Sequence, residues 1–179
     1  MNIFEGGERV NLNELLISRE NRSENVKLLL QKYNHTVINF HLNIPGPIKN
    51  SQHISRIFDE CLINYYNWMP INQEILEHSC VENTLNTGPE FYGVIIENPV
   101  VVKMKTINFE ETFKWGRLLD IDVFDPVTKL GISRNDLQIQ PRKCLICNDT
   151  AKVCGRGKKH TLQELYAQIN RLIKNNSKE

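Results

Sequence analysis

The chain has 179 residues, of which 40% are hydrophobic and 24% charged, and its net charge is +1. This composition is typical of one globular domain spanning residues 1–179, and it excludes a disordered chain. No apolar run is long enough to span a bilayer, and the first ten residues carry Glu5 and Glu8 without the apolar core of a secretory signal. We therefore expect a soluble, cytoplasmic protein without a membrane partner, and the near-zero net charge disfavours nucleic acid.

The charges are unevenly distributed along the chain. From Arg142 to the end there are nine Lys or Arg against three Asp or Glu, so the preceding part is acidic. This basic C-terminal segment, residues 141–179, is predicted to belong to the same domain. It is either a solvated face or a surface that meets an anionic partner.

The first third of the chain alternates between helical and extended patterns. A short helix is predicted around residues 12–17, and a second helix follows a Ser23 cap, with apolar residues at helical spacing over 26–33. Residues 36–44 alternate as a strand does, and the Pro45-Gly46-Pro47 segment ends it.

The middle of the chain contains one strong helix and two predicted strands. Ser51 caps a helix whose apolar residues over 54–65 form one stripe. Residues 73–81 and 91–96 are predicted strands. The stretch 99–113 is ambiguous, because Pro99 suits the first position of a helix whereas three consecutive valines favour a strand.

The last third adds a clear strand and a terminal helix. Residues 117–124 are predicted to form a strand. A turn after it leads to a short partner strand over residues 129–133. Thr161 and Glu164 make a capping box for the final helix. The sum is an α+β fold with a single mixed, mostly antiparallel sheet flanked by helices.

Two aspartates alternate with apolar residues in the predicted strand 117–124. Since side chains two apart in a strand point the same way, Asp120 and Asp122 share one face, and the apolar neighbours bury on the other. Two carboxylates at that spacing can converge on one Mg²⁺, which proteins hold through one or two carboxylates plus substrate phosphates. The alternative is a pair of solvent-facing acids. Gly116 and Arg117 directly before the strand favour the metal site, because they offer close backbone approach and a phosphate-seeking guanidinium.

The cysteines fall into two groups. Their number is odd, five, and Cys61 and Cys80 stand alone in apolar surroundings, so a disulfide framework is disfavoured and both are predicted to be buried. Cys144, Cys147, Cys154 and His160 have the spacing C-x2-C-x6-C-x5-H, which suits a structural Zn²⁺. The competing interpretation, which we favour from sequence, has reduced thiols packing this segment. Its basic side chains then bind an anionic ligand or dock an acidic protein; they are Arg142, Arg156, Lys158, Lys159 and His160.

Four segments in this order resemble the apo-citrate lyase phosphoribosyl-dephospho-CoA transferase (CitX) family. They are PGPIKNS at 45–51, GRLLDIDV at 116–123, ISR at 132–134 with Asp136, and PRKCLIC at 141–147, which continues through Ala151, Val153, Cys154, Arg156 and His160. The resemblance runs from about residue 15 to residue 172. Residues 1–10, 69–99 and the final polar tail are least similar to the family.

The resemblance implies a nucleotidyltransfer-type reaction. The phosphoribosyl-dephospho-CoA prosthetic group would pass from its triphosphate precursor, triphosphoribosyl-dephospho-CoA, to a serine of the citrate lyase acyl carrier protein (the gamma subunit), and pyrophosphate would leave. Asp120 and Asp122 would then be ligands of Mg²⁺. A fold related to polymerase-type nucleotidyltransferases is a looser analogy.

Further site residues follow from the charge of such a donor. Basic candidates for the triphosphate are Lys49, Arg56, Arg117 and Arg134. Asp136 and Glu110 are candidates for a third carboxylate that helps to deprotonate the attacking hydroxyl, and Asp136 is included among the predicted catalytic residues. The alternative function is a non-catalytic, zinc-stabilised module that binds an acidic protein, and such a module would tolerate replacement of either Asp120 or Asp122.

Overall fold

The computed structural model describes residues 2–69, 75–82 and 84–175, which form two compact units. The larger unit is Ile3–Ile132, and the smaller one comprises the residues from Ser133 onward together with Asn2. None of the helices in the described part of the chain is long and apolar enough to cross a membrane.

The larger unit is built on one four-stranded sheet. Its strands are β1 (Thr36–Leu42), β2 (Ile75–Glu82), β3 (Glu90–Ile95) and β4 (Leu119–Phe124), in the order β2-β3-β1-β4. The pairs that these strands form are antiparallel, and the predicted α+β fold is confirmed. Residues 73 and 74, with which the second strand was predicted to begin, lie outside the described residues.

One face of the sheet packs against the helix that follows β1. Helix α2 (Gln52–Trp68) begins after the predicted cap, since the Ser51 side chain accepts from the N–H of Ile54 at 3.1 Å. Phe40 of β1 meets Phe58 and Tyr65 of α2, with ring centroids 5.6 and 5.4 Å apart. Burial of each such ring contributes about 1.5–3 kcal/mol. One part of the hydrophobic core therefore lies between this face and α2.

The opposite face of the sheet packs against helix α1 (Leu12–Tyr33). Here the core consists of Val26 and Leu30 of α1 with Val37, Tyr92 and Val94 of the sheet. The prediction of two helices separated at Ser23 is wrong, because α1 is continuous and is capped by Asn11 in a capping box with Glu14.

The ambiguous stretch after β3 is helical. Helix α3 (Pro99–Thr112) begins with Pro99 at its first position, and the Asn98 side chain accepts from the N–H of Val100 at 2.9 Å. Of the two alternatives, the strand favoured by the three valines is therefore not formed. The Asn98 cap and Pro99 favour the helix more than the β-propensity of the valines favours a strand. A 3₁₀ turn (Gly116–Leu118) leads from α3 into β4. The predicted partner strand 129–133 is reduced to one isolated bridge, between Phe124 and Gly131.

The smaller unit contains α4 (Ala151–Arg156) and α5 (Leu162–Asn175). The predicted capping box of α5 is confirmed, because Thr161 N–H donates to Glu164 Oε2 at 2.7 Å and Glu164 N–H donates to Thr161 Oγ1 at 3.2 Å. The N–H and the hydroxyl of Thr161 both donate to the Glu164 carboxylate, and these two bonds lower the pKa of Glu164. In the larger unit the predicted burial of Cys61 is confirmed, whereas the side chain of Cys80 lies outside the described residues.

Candidate functional site

Strand β4 presents its two aspartates on one face. Leu119, Ile121 and Val123 are fully buried, whereas Asp120 and Asp122 between them are half-buried, so the strand alternates as predicted. The carboxylates lie on the α1 side of the sheet, because they share the register positions of Asn39 and His41 in β1.

The sheet register places His41 between two acidic residues. It is paired with Asp120 of β4 on one side and with Glu90 of β3 on the other. His41 Nε2 lies 3.4 Å from Asp120 Oδ2. His41, Asp120 and Asp122 each offer a ligand atom, and these three atoms lie within 4.8 Å of one another. Two carboxylates and one imidazole therefore converge, and sequence reasoning missed the imidazole.

Helix α3 fixes the strand that carries the aspartates. Buried Lys103 donates to the carbonyl oxygen of Ile121 at 2.9 Å, and the N–H of Ile121 donates to buried Glu110 at 3.1 Å. β4 is an edge strand, so these side chains bind backbone groups that no neighbouring strand reaches. Ile121 stands between the two aspartates, so its anchoring also fixes their spacing.

The aspartates line a cavity of about 300 Å³ in the larger unit. Its walls come from α1, the end of β1, the loop before α2, the segment before β3, and β4. The lining residues are Leu15, Ser18, Arg19, Arg22, His41, Leu42, Asn43, Ile44, Lys49, Thr87, Gly88, Pro89, Asp120 and Asp122.

Three cationic side chains share this cavity with the acids. Lys49, predicted from sequence, lines it beside Arg19 and Arg22 of α1. Burial, and then the positive charges of Arg19 and Arg22, lower the pKa of the Lys49 ammonium. Its Nζ donates to the carbonyl oxygen of Ile44. An anion in the cavity would relieve the repulsion among the cations, so the cluster is suited to phosphate groups.

Arg22 is held in place by a buried carboxylate. Glu90, whose side chain is 4% exposed, accepts from Arg22 Nε at 3.0 Å and from Arg22 Nη2 at 2.5 Å. Its other oxygen accepts from the Tyr92 hydroxyl at 2.6 Å. Arg22 Nη1 also lies 3.4 Å from His41 Nε2. Glu90, Arg22, His41 and Asp120 thus form one chain of contacts from the core to the cavity.

The donor set of this cavity fits a hard divalent cation. Asp120 and Asp122 supply carboxylate oxygens, which Mg²⁺ prefers, and the neighbouring cations supply a place for phosphates that would complete its coordination. The prediction that both carboxylates face one cleft together is confirmed by the geometry, whereas the metal itself stays a prediction.

A second cluster of ligand side chains lies in the smaller unit. Cys144, Cys147, Cys154 and His160 have ligand atoms that all lie within 4.8 Å of one another, so they can hold a metal ion. Burial opposes ionisation of Cys144, but hydrogen bonds from the backbone N–H groups of Cys147 and Ile146, and then the neighbouring thiols, outweigh it and lower the pKa of this thiol.

Comparison with known proteins decides the family. The model of the family described as "Apo-citrate lyase phosphoribosyl-dephospho-CoA transferase" matches residues 10–176. The chain belongs to this CitX family. Two similar CitX relatives carry the same description. One, from Escherichia coli O1:K1 / APEC, is 32% identical over 95% of this chain and 92% of its own length. The other, from Shigella boydii serotype 18, is 33% identical over 92% of this chain and 88% of its own length.

A longer relative contains the CitX region as one part. The "Protein CitXG" of Leuconostoc mesenteroides subsp. cremoris is 38% identical over 98% of this chain. The chain covers 37% of that protein's length, so the remainder of that protein has no counterpart in this match.

Several predicted residues of this CitX chain lie in the larger unit but do not line the cavity. Arg56 and Arg117 are exposed, on α2 and on the 3₁₀ turn. Gly116 is buried, and a Cβ there would lie 2.2 Å from the carbonyl oxygen of Glu110, so the glycine lets α3 pack against the turn. The carboxylate of Glu110 is engaged by Ile121, so the structure does not bring it to the cavity. Their predicted contacts with substrate stay predictions.

The remaining predicted residues belong to the smaller unit. Asp136 accepts from both the N–H and the hydroxyl of Ser133 at 2.8 Å, and these bonds lower its pKa. This local turn gives its carboxylate a structural partner. Arg134, Arg142, Arg156 and His160 lie in the same unit, and their predicted roles are not tested by its geometry.

Sequence reasoning missed Arg19, Arg22, His41 and Glu90. The signal for the arginines was their spacing, because Leu15, Ser18, Arg19 and Arg22 recur at intervals that share one helix face. The signal for His41 was its phase: it alternates with Phe40 and Leu42 in β1 and so points to the face of the aspartates.

Proposed function

We propose that this chain transfers the 2′-(5″-phosphoribosyl)-3′-dephospho-CoA prosthetic group from its 5″-triphosphate precursor to a serine of the citrate lyase acyl carrier protein. The observation that carries the proposal is the cavity in which Asp120 and Asp122 face the cations Arg19, Arg22 and Lys49. The family name, apo-citrate lyase phosphoribosyl-dephospho-CoA transferase, supports the choice of the transferred group and of citrate lyase as the acceptor.

The reaction is a displacement at phosphorus. The serine oxygen forms a bond to the α-phosphorus, the bond between that phosphorus and the bridging oxygen breaks, and the electron pair leaves with pyrophosphate. The hydroxyl proton passes to a base. Asp120 and Asp122 would hold Mg²⁺, which when bound neutralises charge on the phosphates and the leaving group.

The chain's own residues account for the remaining needs of this reaction. Arg19, Arg22 and Lys49 bind and orient the triphosphate, and Glu90 fixes the guanidinium of Arg22 so that it is already in position. His41 is our candidate for the base, because it lines the cavity with its Nε2 3.4 Å from Asp120 Oδ2, and histidine is the side chain most often used for general-base catalysis.

The test is a transfer assay with purified components. The protein is mixed with the apo carrier protein, the triphosphoribosyl donor and Mg²⁺, and mass spectrometry follows the mass of the prosthetic group on the carrier. We expect transfer that depends on added Mg²⁺ and that does not occur when Mg²⁺ is left out of the mixture. Asp120→Asn and Asp122→Asn should each lower kcat by about 10²–10³-fold, since charge stabilisation at a metal contributes several kcal/mol.

Asp125→Asn is the matched control, because Asp125 follows the same strand but serves a turn, where its Oδ1 accepts from the N–H of Val127 at 2.7 Å. It should leave the rate within about threefold. His41→Asn should lower kcat by about 10²–10⁴-fold, as expected for loss of a general base. Full transfer by Asp120→Asn, or a carrier that gains no mass with the wild-type protein, would reject the proposal.

A further inference from the structure

The Cys-rich segment folds into a hairpin followed by a short helix. Lys143 and Thr150 form an antiparallel bridge, the N–H of Cys144 donates to the carbonyl oxygen of Asp149 at 2.7 Å, and the N–H of Ala151 donates to that of Arg142 at 2.7 Å. The hairpin therefore fixes the backbone on both sides of the Cys144-x2-Cys147 turn.

Helix α4 then returns a third cysteine to the turn. Thr150 caps this helix, and one turn later Cys154 is buried with its Sγ 4.0 Å from that of Cys147. Among the described residues, Cys144, Cys147 and Cys154 are not joined in disulfides. Together with a ring nitrogen of His160 they give four atoms within 4.8 Å of one another, close to the separations of ligands around a tetrahedral metal ion.

The imidazole of His160 supplies an independent observation. Its Nε2 is buried and makes no hydrogen bond among the described residues. A buried polar atom without a partner is unfavourable by about 1–3 kcal/mol, so native proteins rarely leave one. A bond from this nitrogen to a metal would remove that penalty.

Backbone donors also point at the sulfur atom of Cys144. The N–H of Ile146 lies 3.4 Å from Cys144 Sγ, two residues earlier in the same turn. Such N–H groups stabilise a metal-bound thiolate and orient it, as outer-shell partners do in metal sites. On the other side of the turn, Cys147 Sγ lies 3.8 Å from the carboxylate of Asp149, whose charge is paired with the ammonium of Lys159 at 2.6 Å.

We propose that Cys144, Cys147, Cys154 and His160 form a closed structural zinc site that organises the smaller unit. Three thiolates and one imidazole are a soft to borderline donor set, which selects Zn²⁺ over Mg²⁺. Four protein ligands leave no position for water or substrate, so the site is structural and takes no part in phosphoryl transfer. This proposal departs from the preference, drawn from the sequence, for reduced thiols that pack the segment.

The test measures metal in the purified protein and does not depend on activity. Protein prepared under reducing conditions should contain one equivalent of zinc by elemental mass spectrometry. Replacement by Co²⁺ should produce the visible bands of a tetrahedral centre together with sulfur-to-cobalt charge transfer in the near ultraviolet. Cys147→Ser and His160→Ala should each lower zinc affinity by at least about tenfold.

Cys61→Ala is the matched control, because Cys61 is a buried free cysteine of the larger unit, and it should keep the full equivalent of zinc. If Cys147→Ser does not fold, the zinc content and the cobalt spectrum of the wild-type protein still test the proposed zinc site. Folded wild-type protein that takes up no zinc at micromolar free metal, a disulfide between two of the three thiols, or zinc retained at full affinity by Cys147→Ser would overturn the proposal.

Discussion

Glu90 is the residue on which the polar side of the cavity depends. It is buried in β3, and its carboxylate accepts from Arg22 and from Tyr92. Burial, and then the hydrogen bond to the Glu90 carboxylate, raise the pKa of the Tyr92 hydroxyl, so this phenol stays protonated and donating. A buried charge is tolerated only where it is paired in this way.

We predict that Glu90→Gln destabilises the protein by about 1–3 kcal/mol and raises the KM for the donor more than it lowers kcat. The amide keeps an acceptor oxygen but loses the charge, so Arg22 is held less firmly at the cavity. Urea unfolding gives the free energy, and steady-state kinetics give the two constants. Glu24→Gln is the control on α1, because Glu24 is exposed and its ion pair with Lys27 is 3.6 Å long. A wild-type KM in Glu90→Gln would contradict the prediction.

Helix α3 fixes the position of strand β4. An edge strand has one row of backbone groups without a strand neighbour, and here Lys103 and Glu110 bind both groups of Ile121. The helix thereby replaces a neighbouring strand at the position between the two aspartates. The spacing of the acids is set by a helix that contributes nothing to the lining of the cavity.

We predict that Lys103→Met destabilises the protein by about 1–3 kcal/mol, because the buried carbonyl of Ile121 loses its donor. Thermal and urea unfolding measure the loss. Lys105→Met on the same helix should change stability by about 0.5 kcal/mol or less, since Lys105 is partly exposed and its contact with Glu97 is 4.0 Å long. Glu110→Gln, which keeps an acceptor oxygen, should be milder than Glu110→Leu. Equal effects of Lys103→Met and Lys105→Met would contradict this account.

The elements that could be predicted from the sequence are those whose local signals agree. Strand β4 alternates cleanly, α2 has both a serine cap and an apolar stripe, and α5 has a capping box. α1 was divided wrongly because its apolar periodicity stops where Ser18, Arg19 and Arg22 face the cavity, although the helix continues. The interruption of the apolar periodicity in α1 was therefore itself a sign of the cavity.

The candidate site could be predicted only in part, for a related reason. Asp120 and Asp122 lie two residues apart in one strand, so the period of the strand alone brings them together. Their partners His41, Arg19 and Arg22 lie about 80 to 100 residues earlier, and only the pairing of β1 with β4 and the packing of α1 bring them near. Sequence spacing carries no information on such long-range contacts.

Charged side chains are unevenly distributed along the whole chain. The segment from Arg142 onward has nine cationic against three anionic side chains, and Arg156 and Lys158 within it are exposed. An excess of one sign in one region accelerates and strengthens association with a partner of the opposite sign, and salt weakens this effect.

We predict that the binding of an acidic carrier protein weakens as salt is raised, and that Arg156→Gln combined with Lys158→Gln weakens it further and reduces the salt dependence. Titration calorimetry at several ionic strengths measures both effects. Lys27→Gln, which removes an exposed cation from the larger unit, should have little effect on the affinity. Binding that does not change with salt would exclude a docking role for the basic segment.

The anchoring of β4 by α3 has a consequence for the behaviour of the protein in concentrated solution. A bare rim of a sheet can recruit a strand from another molecule and so begin aggregation. At Ile121 that rim is closed by an ammonium and a carboxylate of the same chain, which an incoming polypeptide would have to displace. The contacts that fix the spacing of the two aspartates therefore also prevent a strand of another molecule from pairing with β4 at Ile121.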